Sequence, residues 1–155
     1  YIDDKNIKII FIGEGSDKKK LQDLIHDKEV KNVSILPSVS KIKVIDYIAS
    51  IDVSLISLRN SKLFKTVIPS KIFENAAMGK PILLGVNGEA RDIIESYSAG
   101  LYYEPENKDD FLKQLNVIKN NSDIYQSCTE GCEKLATDYD RIKLANKMLS
   151  ILYNV

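Results

Sequence analysis

Short apolar runs alternate with segments of helical spacing along the first two thirds of the chain. Each run is rich in β-branched or aromatic residues, and each is followed by glycine, proline or polar residues that end it. The spacing of Leu21, Leu24 and Ile25 after the first run is typical of a helix, as is that of Ile42, Ile45 and Ile48 after the second. The predicted strands are Ile7–Ile12, Val33–Leu36, Val53–Ile56, Pro81–Leu84 and Gly100–Tyr103.

Strands separated by helices need crossover connections, which produce a parallel sheet covered by helices on both faces. The third connection is a polar loop through Lys65, followed by a helix from near Pro69 to near Gly79, and the fourth is a helix over Glu89–Tyr97. The pattern therefore predicts an α/β fold: a Rossmann-like, doubly wound parallel sheet of about five strands.

Three helices are expected after Pro105. Asn107 and Asp110 resemble a capping box at the start of the first, although Asp stands where Glu or Gln is usual. The whole chain, residues 1–155, is expected to form one compact domain. The apolar positions assigned to the core are Phe111, Leu112, Leu115 and Ile118 of the first helix, Ile124, Cys128, Cys132 and Leu135 of the second, and Ile142, Ala145, Met148, Leu149 and Leu152 of the third.

Composition removes several classes of function. Of 155 residues, 44% are hydrophobic, and 22 basic residues balance 22 acidic ones, so no overall field attracts nucleic acid or an anionic membrane. No apolar run approaches the roughly 20 residues that span a bilayer, and the first residues lack the pattern of an export signal. We expect a cytoplasmic protein. Two cysteines and one histidine predict buried thiols and no metal site.

Ligands of open α/β sheets bind beyond the carboxyl ends of the strands. Gly13 and Gly15 follow the first strand there, and glycine lets a phosphate or sugar approach the backbone. A G-x-G pair without a third glycine is weak evidence, because a simple tight turn has the same sequence.

The segment from Val67 to Pro81 carries the strongest signal. Ser70, Lys71 and Glu74 lie toward one side of the predicted helix, while Ile72, Phe73, Ala76 and Ala77 form its buried face. Backbone amides and Lys71 would hold a diphosphate, and Glu74 would accept hydrogen bonds from a vicinal diol such as a ribose. The competing interpretation is an exposed Lys71–Glu74 ion pair without function.

These motifs resemble the C-terminal domain of GT-B glycosyltransferases of the group-1 (family 4) class. The resemblance runs nearly end to end, and its most specific part is Pro69-Ser-Lys-Ile-Phe-Glu74 followed by Gly79-Lys-Pro81. It implies that Glu74 binds the ribose of a UDP- or GDP-linked sugar and that amides near Ser70 and Lys71 face the phosphates. It also implies that Ser38 and Val39 border the base, with no separate cofactor and no essential metal.

Two departures from the family pattern stand out. Thr66 occupies the position of the family's first glutamate, which leaves the catalytic residues unidentified. The family domain usually begins with one more strand and helix, so the chain is expected to be an excised C-terminal half whose partner is a missing N-terminal acceptor domain. We then expect either a closed strand order 2-1-3-4-5 or an exposed seam that promotes self-association.

The resemblance implies that the full-length parent transfers a sugar to a hydroxyl acceptor and that this fragment alone is inactive. Because members of the family commonly work in bacterial surface polysaccharide synthesis, the same pathway is expected for the parent. Any membrane association would come from the parent. The alternatives are a nucleotide-sugar epimerase, a non-catalytic nucleotide-binding module and, least favoured, a response-regulator receiver with Asp52 as phosphoacceptor. Lys18–Lys20 is interpreted as a solvated face, and Tyr97, Tyr102 and Tyr103 as packing residues.

Overall fold

The structure, a computed structural model, describes residues 4–153. The chain divides into two compact units, residues 1–47 and residues 48–155. Both units alternate strands and helices. Over the described residues no helix is long and apolar enough to cross a membrane.

The unit of residues 1–47 contains two parallel strands. They are β1 (Ile9–Ile12) and β2 (Val33–Leu36), paired from Ile9 opposite Val33 to Ile12 opposite Leu36. Helix α1 (Lys18–Asp27) connects them, and helix α2 (Lys41–Ser50) follows β2 and crosses the division between the units. No described residue of this unit is buried, and Phe11 of β1 is 39% exposed.

The unit of residues 48–155 contains a three-stranded parallel sheet with β4 in the middle. Its strands are β3 (Ser54–Ser57), β4 (Ile82–Gly85) and β5 (Gly100–Tyr102), in the order β3-β4-β5. All four residues of β4 are buried. Because successive side chains point to opposite faces of a sheet, this burial means that both faces are covered.

Five helices and one 3-10 helix complete the described part of this unit. They are the 3-10 helix Lys62–Thr66, α3 (Lys71–Ala77), α4 (Glu89–Tyr97), α5 (Lys108–Asn120), α6 (Ser122–Asp138) and α7 (Arg141–Tyr153). Helix α6 carries Cys128, Cys132 and Leu135 into the core, and α5 contributes Ile118. The α/β class, the five parallel strands and the three helices after Pro105 are confirmed.

The five parallel strands are divided between two sheets. The described strands form one sheet of β1 and β2 and a second of β3, β4 and β5, so the closed order 2-1-3-4-5 is not adopted. The alternation of elements specifies the number and direction of strands, but not which strands share hydrogen bonds. The self-association expected of an open seam stays a prediction.

The core assigned to the last helix is also wrong. Every residue of α7 is exposed, including Ile142 (72%), Met148 (61%) and Leu152 (62%). The spacing of Ile142, Ala145, Leu149 and Leu152 gives the helix an apolar face, but periodicity cannot supply a partner for it.

Two smaller corrections concern helix starts and faces. Ala77 is exposed at the end of α3, whereas Asn75, which the apolar pattern passed over, is buried. At the start of α5, Asn107 accepts hydrogen bonds from the amides of Asp109 and Asp110, each at 3.1 Å. Asp110 does not complete the capping box, because its carboxylate accepts from the amide of Glu104 at 2.7 Å.

Candidate functional site

The loop after β1 leaves open space in front of its backbone. Gly13 has a φ of +139°, a region that glycine occupies readily, and its amide donates to the carbonyl of Leu36 at 3.2 Å. A Cβ added at Gly13 or at Gly15 would meet no atom of the described residues within 4 Å. A ligand approaching this loop would therefore contact backbone directly.

A hydrogen-bond link joins this loop to the one after β2. The Glu14 carboxylate accepts from the Lys18 ammonium at 2.7 Å and from the backbone of Ser38. These bonds, with Lys18 making the largest contribution, lower the pKa of Glu14 below its ordinary value. Because β1 and β2 are parallel and in register, their carboxyl ends bring Gly13, Gly15 and Ser38 to one edge of the small sheet. Ser38 is exposed and Val39 half-buried.

A cavity of about 570 Å³ lies beside the same loop. Its walls include the glycine loop and the apolar side chains of Phe11, Leu21, Leu24 and Ile35. Ser38 and Val39 do not line it. The structure therefore places Gly13, Gly15 and Ser38 at one edge of the small sheet. Of the four residues predicted in this unit, Gly13 and Gly15 line the cavity and Ser38 and Val39 do not.

The start of α3 offers backbone donors. Ser70 precedes the helix, and its carbonyl accepts from the amides of Phe73 at 3.1 Å and Glu74 at 3.3 Å, while the Ile72 amide donates to Pro69 at 3.0 Å. Among the described residues no acceptor takes the amide of Ser70 or Lys71. The first amides of a helix lack partners within the helix, so these two are available to an anion.

Lys71 and Glu74 do not pair with each other. Both side chains are exposed on α3, and over residues 4–153 neither takes part in an ion pair. The interpretation that they form only a surface pair is therefore not supported. Asn75 fixes the backbone of α3 beneath these two side chains. Its buried side-chain amide donates to the Lys71 backbone carbonyl at 2.7 Å, and its backbone carbonyl accepts from the Lys80 amide at 3.0 Å.

Thr66 ends the 3-10 helix, an element that the sequence pattern described only as a polar loop. Its hydroxyl donates to the Leu63 carbonyl at 3.4 Å, within its own turn. The backbone of the preceding residue, Lys65, packs closely against Gly88 at the start of α4. A Cβ added at Gly88 would lie 2.0 Å from the Lys65 carbonyl oxygen. Gly88 is therefore required here, because only a residue without a Cβ allows the 3-10 helix to approach the start of α4 so closely.

A polar network that the sequence did not predict lies beyond the carboxyl ends of β4 and β5. The Tyr102 hydroxyl donates to Glu104, and Asn87 also bonds both of these side chains. Burial, followed by the Glu104 carboxylate, raises the pKa of Tyr102 to about 12. The Arg91 guanidinium lies 3.9 Å from the centre of the Tyr102 ring. These residues are distant along the chain, and only the pairing of β4 with β5 brings them together. The sequence therefore contains no signal of the network.

A second cavity, of about 450 Å³, opens beyond the carboxyl ends of β3 and β5. No sequence motif indicates this cavity. The one related signal in the sequence is that the segment between Asp52 and Glu74, which leaves β3, contains no acidic residue. Its lining residues are Ser57, Leu58, Arg59, Tyr103, Glu106, Asn107, Lys108 and Phe111.

The remaining predicted residues have structural roles. Burial raises the pKa of Cys128 and raises that of Cys132 to about 12, and the Cys132 thiol lies 3.1 Å from the Ala99 carbonyl oxygen. Both are buried thiols, as predicted. Tyr103 packs edge-on against Phe111 with ring centres 5.1 Å apart. Asp52 lies before β3, not after it, which contradicts a phosphoacceptor role.

The model of the family described as "Glycosyl transferases group 1" matches residues 2–135. A search of curated protein sequences found no match.

Solved structures share the fold at low sequence identity. HepE from Anabaena in complex with UDP-glucose has a TM-score of 0.77 and 16% identity, over 98% of this chain and 42% of that one. WaaG, a glycosyltransferase involved in lipopolysaccharide biosynthesis, has a TM-score of 0.72 and 16% identity, over 94% of this chain and 38% of that one. The chain thus spans about two fifths of the length of the structures it matches.

Proposed function

We propose, from the premise that this chain belongs to the glycosyl transferases group 1 family, that it binds the nucleotide-diphosphate sugar donor of a glycosyltransferase. The observation that carries the proposal is the start of α3, where two backbone amides, the Lys71 ammonium and the Glu74 carboxylate share one exposed face. The acceptor site is assigned to the remainder of the parent enzyme.

The diphosphate is assigned to the amides of Ser70 and Lys71 and to the Lys71 side chain. Helix α3 has only seven residues, so its dipole is small and the local N–H groups and the lysine charge supply most of the attraction. As the bond between the sugar and the diphosphate breaks, negative charge grows on the leaving oxygen. Donors fixed in advance stabilise that charge without having to reorganise.

Glu74 is assigned to the ribose. One helical turn separates it from Ser70, and its carboxylate has two oxygens that match the two hydroxyls of a vicinal diol. A fixed nucleoside fixes the direction in which the anomeric carbon points, which is a positioning contribution. Thr66, at the position of the family's first glutamate, supplies no carboxylate to the sugar.

Gly13, Gly15, Ser38 and Val39 stay predictions from the resemblance, each to be tested by its own variant. UDP is the first nucleotide to test, because HepE was solved with UDP-glucose. The name of WaaG supports a parent that works in bacterial surface polysaccharide synthesis, and we propose a cytoplasmic location for it.

Titration calorimetry of this chain with UDP and with GDP, without and with magnesium, tests the proposal. We expect metal-independent binding of one nucleotide, weakened by one to two orders of magnitude in Glu74→Ala, since a hydrogen bond to a charged group contributes about 1.5–3 kcal/mol. Glu133→Ala, which removes an exposed carboxylate from α6, is the matched control and should bind normally. Equal affinity in both variants would reject the role of Glu74.

A further inference from the structure

The backbone of Lys65 lies near the carboxyl end of the central strand. A Cβ added at Gly88 would lie 2.0 Å from the Lys65 carbonyl oxygen and 2.9 Å from its Cα atom, so the two main chains are in direct contact. Gly88 follows the last residue of β4 by three positions, with a φ of +82°. Lys65 is therefore located at the edge of the sheet where open α/β proteins bind their ligands.

A polar network fixes the loop after β4 on which this lysine packs. The Asn87 side-chain amide donates to the Glu104 carboxylate at 3.3 Å, and the Tyr102 hydroxyl bonds both of these side chains. The Asp110 carboxylate accepts from the Glu104 amide at 2.7 Å, which ties the network to α5. Because satisfied side-chain networks restrict the groups that they join, the loop has support from β5 and α5 as well as from β4.

The 3-10 helix holds Lys65 from the other side. The Ser61 hydroxyl accepts from the Leu63 amide at 3.3 Å, and the Ser61 carbonyl accepts from the Phe64 amide at 3.0 Å. The Phe64 carbonyl accepts in turn from the Val67 amide at 3.3 Å. These bonds close the turn before and after Lys65. Its main chain is thus fixed, while its side chain is exposed.

The Lys65 ammonium is a cation without an acidic partner in the part of the chain that the structure describes. No acidic residue occurs between Asp52 and Glu74. Glu89, the residue after Gly88, takes part in no ion pair over residues 4–153 either. In a chain with 22 basic and 22 acidic residues, this edge of the sheet is locally positive and available to an anion.

The donor diphosphate needs more positive charge than α3 supplies. In the proposed function, Lys71 and two backbone amides hold the diphosphate, and each of its phosphates carries a negative charge that one ammonium cannot balance alone. Helix α3 connects the parallel strands β3 and β4, so it begins at the same edge of the sheet as the loop that follows β4. Lys65 therefore lies at the edge where the diphosphate is assigned.

We propose that Lys65 is a donor-binding residue, whose ammonium contacts the β-phosphate of the nucleotide-diphosphate sugar, and that the polar network after β4 sets its position. Glu74 and the first amides of α3 are one helical turn apart, which places the ribose and the adjoining α-phosphate at α3. Lys65 supplies the second cation, at the β-phosphate. This inference rests on the proposed function and adds a residue to its site.

Calorimetry with UMP, UDP and UDP-glucose locates the contact, with the guanosine series in their place if the unmodified chain binds GDP. Lys65→Met should weaken binding of UDP and UDP-glucose about tenfold and change that of UMP by less than about twofold, because UMP lacks the β-phosphate. Lys65→Arg keeps the charge and should restore most of the affinity for UDP. Lys113→Met removes an exposed lysine from α5, with the same change in net charge, and should bind normally.

The outcomes separate this inference from the proposed function. If Lys65→Met binds UDP as tightly as the unmodified chain does, the inference is overturned and the proposed function stands. An equal loss for UMP and UDP, or an equal loss in Lys113→Met, also overturns it, because the effect then does not depend on the β-phosphate or on Lys65. Failure of the unmodified chain to bind UDP or GDP would reject the proposed function, on which the inference rests.

Tyr102→Phe tests whether the network acts through Lys65. It removes the hydroxyl at the centre of the network and should weaken UDP binding about threefold in the unmodified chain, with no further loss in the Lys65→Met background. Tyr97→Phe, which removes a hydroxyl that donates to Asp138 at 3.0 Å, is the matched control and should bind UDP normally. A loss by the same factor in both backgrounds would show that the network does not position Lys65.

Discussion

The two units of this chain use the same strand–helix alternation with different results. In residues 48–155 the middle strand is buried at every position, and Ile72, Ile82, Leu84 and Ile94 are all completely covered. In residues 4–47 no side chain is buried, although β1 is as apolar as β4. The difference shows that an apolar strand becomes a core only when both of its faces are covered.

The number of strands explains the contrast. A three-stranded sheet gives β4 a neighbour on each side. Helices α3, α4 and α5 contact β4, and α6 contacts β5. A two-stranded sheet has no middle strand, and such sheets are marginal by themselves in water. Most of the burial that stabilises this chain therefore lies in residues 48–155.

The largest expected effect comes from breaking the central strand. Leu84→Ala removes a completely buried side chain from β4 and should lower the free energy of unfolding by about 2–5 kcal/mol. Phe11→Ala in β1 removes a larger side chain that is already 39% exposed, and should cost about 1 kcal/mol or less. Urea unfolding followed by far-ultraviolet circular dichroism measures both. Equal losses would mean that the two strands are equally important for stability.

A smaller effect is expected from two glycines with opposite surroundings. A Cβ at Gly131 of α6 would lie 2.3 Å from the Tyr97 carbonyl oxygen and 2.5 Å from that of Ser98, and backbone atoms cannot rotate away. Gly131→Ala should cost about 1–2 kcal/mol net, because the overpacking outweighs the better helix propensity of alanine.

Gly15→Ala is the matched change in the other unit. No atom of the described residues lies within 4 Å of its added Cβ, so it should change stability by less than about 1 kcal/mol, with any gain coming from a less flexible unfolded chain. Thermal unfolding of the two variants beside the parent chain gives the comparison. A Gly131→Ala variant as stable as the parent would contradict the close contact between α6 and the end of α4.

The same contrast determines what the sequence was able to predict. Strand positions were predicted well in both units, because glycine, proline or polar residues end each short apolar run. Which strands pair was not predictable, since pairing depends on partners distant along the chain. The apolar spacing of α7 resembles that of α6, yet α6 carries Leu135 at 0% exposure and α7 carries Leu152 at 62%. The pattern records which face is apolar, and packing decides whether it is buried.

Site prediction followed the same rule. The grouping of Ser70, Lys71 and Glu74 on one side of α3 was predictable because helix spacing determines which side chains share a face, and their role in binding the donor stays a prediction. The cavity of Arg59 and Lys108 and the network of Asn87, Tyr102 and Glu104 were missed, because each joins residues that only the sheet brings together.

The last expected effect is absent at neutral pH and concerns one unit only: a decline of stability at alkaline pH. Both cysteines lie in residues 48–155, and burial raises the pKa of Cys132 from its ordinary value of 9.0 to about 12. The folded state therefore retains a proton that the unfolded state loses, so the stabilisation is complete below about pH 9 and declines as the pH rises toward 12. Cys132→Ser keeps a donor toward the Ala99 carbonyl but removes the titrating thiol, and should show a flatter decline in stability over this range. Hydrogen exchange of peptides from residues 1–47, which contain no cysteine, should show no difference between the variant and the parent. An identical decline in the parent and in Cys132→Ser would show that the thiol remains ionisable in the folded core.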